Sequence, residues 1–249
     1  MKFIQRKKDI TSCALHVMAM VFMLCDHLWA TLFPGQEWMS CVGRLAFPLF
    51  AFMTVEGYVH TANIKRYLQR LFVFALLSEI PFDLMYGSSI FYPFHQNVLW
   101  TFFLAVFFLC VIDKANALKY RWMTWCVWGL VALVGFLLGT IFMVDYYGVG
   151  ILTVFVFYFF RKRMWWCFLG QLLCLAFLNI HVLGGFYYVI TVAGYKIEIV
   201  QQGLALLALI PIWLYRGRQG YHSKVFQYFC YAFYPMHMLL LYLVWQSIG

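Results

Sequence analysis

The sequence predicts an all-α fold, a polytopic bundle of transmembrane helices, and three observations predict it. Apolar runs recur at hydrocarbon length. Only 11% of the residues are charged while 65% are hydrophobic. Lys and Arg are confined to alternate gaps between the runs. A soluble domain carries about a quarter charged residues, and one soluble core could not hide this much apolar surface. A bilayer solvates it instead. Aromatic residues, 22% of the chain, collect near run ends, where Trp and Tyr favour the membrane interface.

A crossing helix needs about 20 apolar residues. Such runs lie at roughly 11–33, 39–61, 67–86, 97–114, 120–142, 146–160, 164–181, 197–215 and 225–247. The sixth is short and must borrow neighbouring residues. The segment 183–196 is too short to cross, so it is either re-entrant or a tenth, broken helix. The expectation is therefore about nine helices, or ten, in a single domain spanning 1–249 without linkers, low-complexity stretches or obvious repeats. The first run follows Lys2, Arg6, Lys7 and Lys8, as in a signal peptide. It is too long for that role and no small-residue cleavage site follows, so it is expected to be retained.

Charge orients the chain. The gaps carrying Lys65, Arg66 and Arg70, then Lys114, Lys119 and Arg121, then Arg161–Arg163, then Arg216, Arg218 and Lys224 alternate with gaps that carry none, Lys196 being the exception. The positive-inside rule puts the N-terminus in the cytoplasm and the C-terminus outside a multi-pass cell-membrane protein. The net charge of +9 is spent on these short clusters. It does not form a groove-tracking basic face, which argues against a nucleic-acid partner. The eight cysteines sit mostly inside apolar runs without CxxC spacing and read as small buried hydrophobes.

Function must reside in polar residues inside the spans. Asp26, His27, Arg44, Glu56, Glu79 and Asp83 all lie there. A central charge costs about 2.5–3.5 kcal/mol on insertion scales. Five unpaired ones would cost more than about 10 kcal/mol, comparable to a whole protein's stability. They must face inward, pair, change protonation or meet water. All but Glu56 fall toward the outer side, with Asn97, Asp145 and Tyr147 at outer helix ends and Tyr234 and His237 in the last helix, so a reaction chamber is expected there. Glu79 and Asp83 are i and i+4 on one face, and Arg44 is the natural partner for them. The competing reading of that trio is an ion-pair network that only fixes helix packing. His27 is the best general base near neutral pH. Adjacent Asp26 points about 100° away on a helix, so an acid from the third helix is expected to orient it. His95, His181 and His222 show no metal spacing, and HExxH, P-loop, GxSxG and GxGxxG patterns do not occur. Gly135 and Gly139 suggest a close helix contact.

The run Cys25-Asp26-His27 after a basic start, Gly43-Arg44-Leu45-Ala46-Phe47-Pro48, Glu56-Gly57-Tyr58, Ser78-Glu79-Ile80-Pro81-Phe82-Asp83, Asn97 with Thr101, Asp145-Tyr146-Tyr147-Gly148 and Tyr234-Pro235-Met236-His237 together resemble the TraX family. The resemblance covers essentially the whole chain. That family is named for a conjugation protein that acetylates the N-terminus of pilin, and it looks related to the integral-membrane acyltransferases. The resemblance implies transfer of an acyl group from cytoplasmic acyl-CoA (acetyl-CoA) to a peptide, glycan or lipid acceptor at or beyond the membrane, with His27 as the catalytic histidine and no metal.

On that reading His27 is the base and Arg44 stabilises negative charge or holds the donor. Asp26, Glu79 and Asp83 orient groups. Asn97 and Tyr147 can donate to the carbonyl oxygen, beside Glu56, Asp145, Tyr234 and His237 as acceptor contacts. Lys65, Arg66, Arg70, Arg161, Lys162 and Arg163 are candidates for the CoA phosphates, unless they serve topology alone. One difficulty stands out: His27 is about 16 residues, or about 24 Å, from the cytoplasmic helix end. The donor reaches it only through an inward-dipping cavity or an acyl-histidine relay. A small proton-coupled transporter and a non-enzymatic membrane assembly factor are the other classes compatible with the same residues.

Overall fold

The computed structural model describes residues 9–192, 195–221 and 223–248. The basic residues Lys2, Arg6, Lys7 and Lys8, and His222, lie outside the described residues. Among the described residues, ten α-helices run in chain order: α1 (Ser12–Thr31), α2 (Glu37–Gly43), α3 (Ala46–His60), α4 (Ile64–Gly87), α5 (Val98–Ala115), α6 (Arg121–Ile141), α7 (Tyr147–Phe159), α8 (Trp165–Ala176), α9 (Leu209–Leu214) and α10 (Lys224–Ile248). Six stretches are long and apolar enough to cross a membrane, namely α1, α2 with α3, α5, α6, α8 with its extension, and α10. α4 is long but more polar. α7 and the stretch Gln201–Leu214 are apolar but shorter.

Local chemistry places the ends. Thr11 caps α1 by accepting from the Ala14 amide, Asn63 caps α4 at Arg66, and Asn97 caps α5 at Leu99. The predicted second helix is broken at Arg44 and Leu45 into α2 and α3. Pro48 explains the break. It lacks an N–H for the carbonyl four residues earlier, that of Arg44, and its ring crowds that carbonyl.

Two bridges tie the ends of the bundle into layers. Ile10 pairs with Tyr215 at the end that carries Lys65, Arg66, Lys114 and Arg161, here called the basic end. Gln96 pairs with Val144 at the opposite end. The core lies between α1, α3, α5 and α7, around Leu15, Leu49, Val106, Leu109, Ile151, Val154 and Phe157. α6 packs on α7 through glycines. A Cβ on Gly139 would meet the Gly148 Cα at 2.9 Å, so the GxxxG pair does mark a close contact. The outer faces of α6 and α10 stay apolar and uncovered, as with Leu133, Ile141 and Leu243. Lipid is the solvent that suits them.

The segment 183–196 is neither re-entrant helix nor a tenth crossing. α8 continues as a π-helical stretch, Phe177–Leu183, and stops at Gly184 and Gly185, both at positive φ. The chain then forms an antiparallel hairpin, β1 (Tyr187–Val192) with β2 (Tyr195–Val200), in register Tyr187 to Val200. Aromatic and β-branched residues in both strands favour extended chain. The expected eighth run therefore starts as strand, and continues as a 3₁₀ segment, Gln201–Ala208, before α9.

The α6–α7 contact yields a paired test. A Cβ on Gly148 would fall 2.1 Å from the Phe136 carbonyl oxygen, whereas one on Gly129 meets nothing within 4 Å. Gly148→Ala should lower thermal stability in detergent by about 1–3 kcal/mol. Gly129→Ala should leave it equal or raise it by up to about 1 kcal/mol. Equal midpoints for both variants would count against the packing described.

Candidate functional site

Two of the expected catalytic residues come together, Asp26 on α1 and Arg44 at the α2–α3 break. Arg44 Nη2 donates to Asp26 Oδ1 at 2.5 Å, with each side chain about one-fifth exposed. Ser40 joins them. Its hydroxyl donates to Asp26 Oδ1 at 3.3 Å, and its carbonyl accepts from Arg44 Nε at 3.3 Å. The approach is possible because residue 43 is glycine: a Cβ there would lie 2.4 Å from the Asp26 side chain. The network extends into segments that sequence patterns did not mark as functional. Gln201 Nε2 donates to Ser40 Oγ at 3.1 Å, Arg44 Nη1 reaches Gln202 Oε1 at 3.5 Å, and Gln202 Nε2 donates to Asn179 Oδ1 at 3.1 Å. Amides embedded in the apolar runs around 179 and 201–202 were the available signal.

His27 turns away from Asp26 and toward α10. Its Nδ1 lies 2.7 Å from His237 Nε2, and the two rings are parallel, 4.8 Å between centroids. His237 Nδ1 is 2.6 Å from the Phe233 carbonyl oxygen. A carbonyl only accepts, so His237 Nδ1 carries the proton and its neutral Nε2 accepts. His27 Nδ1 must then donate, and its Nε2 keeps a free lone pair. The partner that orients His27 is thus His237, not Glu79 or Asp83 as the sequence suggested. His237 was expected as an acceptor contact. In the structure it is the group that sets the His27 tautomer.

Glu79 and Asp83 do not meet Arg44, because Asp26 is nearer and takes its charge. Glu79 Oε2 accepts from Asn97 Nδ2 and, at 2.7 Å, from Trp100 Nε1. Asp83 Oδ2 accepts from the Tyr92 amide at 2.9 Å. Glu79 Oε1 and Asp83 Oδ1 are buried without a protein partner among the described residues. Asn97 serves Glu79 and the α5 cap. Asp145 Oδ1 faces His95 Nε2 at 3.5 Å and accepts from the Tyr146 amide. Tyr147 is half exposed and points away from the site. Its neighbour Tyr146, at φ 61° and stacked on Phe47 with centroids 3.9 Å apart, lies within electrostatic reach of Arg44. The left-handed turn at 146–147 reverses which tyrosine looks inward.

A cavity of about 630 Å³ opens at the basic end beside Ser12, Thr61, Arg70 and Tyr221, and reaches inward to Met23, Val98 and Tyr234. From Ser12 to Met23 is about 16 Å of helix, and Met23 is one turn short of His27. Glu56 lines this cavity, 3.6 Å from His60, far from the opposite end. Arg70 also lines it, with Nε buried and lacking a hydrogen-bond partner among the described residues. The remaining basic candidates divide. Arg163 donates to the carbonyls of Tyr215 and, at 2.7 Å, Trp213, so it caps the end of α9. Lys65, Arg66 and Lys162 are exposed, and Arg161 lines a separate hollow.

On the other side of His27 stands Tyr86, edge-on at 6.1 Å between centroids. Tyr86 is 42% exposed although it lies within electrostatic reach of Asp26, Arg44, Asp145 and Tyr146. Tyr234, which lines the cavity, lies 6.4 Å from His27 by ring centroids. His27, 7% exposed, lies just beyond the inner end of the cavity. Among the described residues no group of three His, Cys, Asp or Glu is placed to hold a metal.

The Asp26–Arg44 pair should behave as a mostly buried one. Breaking a fully buried pair costs about 3–5 kcal/mol, because one charge is left stranded, and partial exposure here should trim that. Asp26→Leu alone should therefore destabilise the chain more than Asp26→Leu with Arg44→Met together, measured by denaturation in detergent. An additive double variant would mean that the pair does not couple.

A family model described as TraX protein matches residues 12–245. A relative named "Probable fimbrial assembly protein FimC, serogroup H1", from Dichelobacter nodosus, is 26% identical over 258 residues, covering 95% of this chain and 96% of the relative. No solved structure matches. With the family model spanning nearly its whole length, from the first residue of α1 to the last turn of α10, this chain belongs to the TraX family.

Proposed function

We propose that the chain is a membrane acyltransferase that takes an acyl group from acyl-CoA at the cytoplasmic face and passes it to an amine or hydroxyl at the outer side. The observation that carries this reading is the cavity from the basic end, which reaches inward to Met23, one turn short of His27, and to Tyr234, 6.4 Å from it by ring centroids. On this reading the basic end is cytoplasmic, by the positive-inside rule. The N-terminus lies inside, the chain crosses nine times and the C-terminus lies outside. The inward reach of the cavity answers the difficulty of distance, since a thin acyl-bearing arm needs only to stop one turn from His27. The relative's name, a fimbrial assembly protein, supports a peptide amine of a fimbrial subunit as the acceptor.

The chemistry follows from the tautomer. The acceptor nitrogen approaches from the Tyr86 side and attacks the thioester carbonyl on the Tyr234 side. His27 Nε2 takes the proton that the nitrogen loses as the C–N bond forms. The His237 Nε2 lone pair stabilises the resulting imidazolium through Nδ1–H. Negative charge on the carbonyl oxygen is stabilised by the Arg44 guanidinium, within electrostatic reach of His27. As the C–S bond breaks, the thiolate receives the proton from Nε2, and an amide and a free thiol result. Asp26 holds Arg44 in place and tempers its charge.

Purified chain in vesicles, given radiolabelled acetyl-CoA and a peptide with a free N-terminal amine, should transfer label to the peptide. His27→Ala should slow transfer by about 10²–10⁴-fold. Unchanged transfer in that variant, or none with the unaltered chain across a panel of amines and alcohols, defeats the reading. Position 237 gives a finer test. His237→Gln keeps an acceptor for His27 Nδ1–H and should retain most activity, whereas His237→Leu should lose it while the fold survives. Equal activity in both variants would deny His237 its orienting role.

A further inference from the structure

Beside the deep cavity, at the same end, lies a second hollow of about 480 Å³. Tyr58 on α3, Cys110, Asp113 and Lys114 on α5, Tyr158 on α7 and Arg161 just beyond it line this cleft. Thr61, in the turn before α4, borders both spaces, so only the last turn of α3 divides them. The floor of the cleft is built. Tyr58 Oη donates to Asp113 Oδ2 at 2.5 Å, Tyr158 Oη donates to Oδ1, and Asn116 Nδ2 approaches Oδ1 at 3.4 Å. Asp113 is exposed and could take its hydrogen bonds from water, yet three protein donors converge on it.

That arrangement has two consequences. The carboxylate is tied down, so Lys114 and Arg161 at the rim leave one net positive charge facing the solvent side. The two phenol rings are fixed edge to face, 6.0 Å apart at 71°, as aromatic walls. Cations at a rim suit phosphate oxygens. Tyrosine faces suit a flat nucleobase, whose stacking is worth about 1–3 kcal/mol. A phospholipid headgroup would satisfy the cations and leave the rings unused.

We propose that this cleft binds the nucleotide head of the thioester donor. The base lies against Tyr58 and Tyr158 and the phosphates meet Lys114 and Arg161, while the pantetheine arm passes Thr61 into the deep cavity. This rests on the acyl-CoA reading above and assigns the head to a place outside the catalytic passage. Arg70, inside the cavity, is then left for the polar arm rather than the nucleotide.

The test compares two donors on the full chain in zwitterionic nanodiscs. Lys114→Ala and Arg161→Ala should each raise KM for acetyl-CoA by about tenfold or more, the loss of one charge-assisted hydrogen bond, with kcat little changed. KM for acetyl-pantetheine, which has no nucleotide, should not move, and Arg161→Lys should restore part of the loss. Variants that shift both donors equally, or neither, overturn the cleft. If the unaltered chain transfers from neither donor, the acyl-transfer reading fails, and direct binding of adenosine 3′,5′-bisphosphate still decides the cleft. Binding that both variants weaken supports it. No binding, or binding by the chain only of phosphatidylglycerol-containing discs through the same two cations, overturns it.

Discussion

Pro48 cannot give an N–H to the Arg44 carbonyl, and its ring will not let the helix close over it. The rest of the site depends on that local failure. In an unbroken helix Arg44 would occupy a fixed place on one face. At the break between α2 and α3 its side chain instead reaches back to Asp26, across a helix contact close enough only because residue 43 has no Cβ. A charge that would be costly in hydrocarbon is thereby held against its counter-charge. The same pair recruits Ser40, Gln201 and Gln202, which pin the irregular 3₁₀ segment against α2. An irregular stretch at membrane depth is tolerable under that condition, when its polar groups meet protein rather than lipid.

The histidine pair is a second, separate solution to the same problem. Asp26 and His27 are neighbours in sequence, but a helix sends them to different partners, Asp26 to α2 and His27 to α10. His27 is thus oriented without a nearby formal negative charge. Its partner is a neutral imidazole, itself oriented by a main-chain carbonyl. A carboxylate in that place would hold the imidazolium more strongly and return its proton less readily. The neutral chain from Phe233 through His237 leaves the outward nitrogen of His27 free both to take and to give a proton.

Much of the site was legible in the residues and some of it could not have been. Asp26, His27 and Arg44 stood out, with Glu56, Glu79 and Asp83, because each is costly in an apolar run. Their partners were harder. Glu79 looked like the mate of Arg44 on grounds of charge, yet Asn97 and Trp100 hold it elsewhere. Tyr147 was the expected donor, yet two residues of left-handed backbone leave it half exposed and set Tyr146 within electrostatic reach of Arg44. The basic loop residues formed one class by sequence. In space Arg163 caps a helix, Arg70 lines the deep cavity and Arg161 lines its neighbour.

Membrane character, the helical fold and the family were determined by the sequence alone. These follow from what each residue gains or loses against its solvent, lipid or water, and from motifs read along the chain. The tertiary structure decided which acid neutralises Arg44, which group orients His27, that Tyr187–Val192 and Tyr195–Val200 pair as strands, and that a cavity stops one turn short of the histidine. Those are properties of pairs and of empty space between helices. They depend on distances that no single residue's preference for its surroundings encodes.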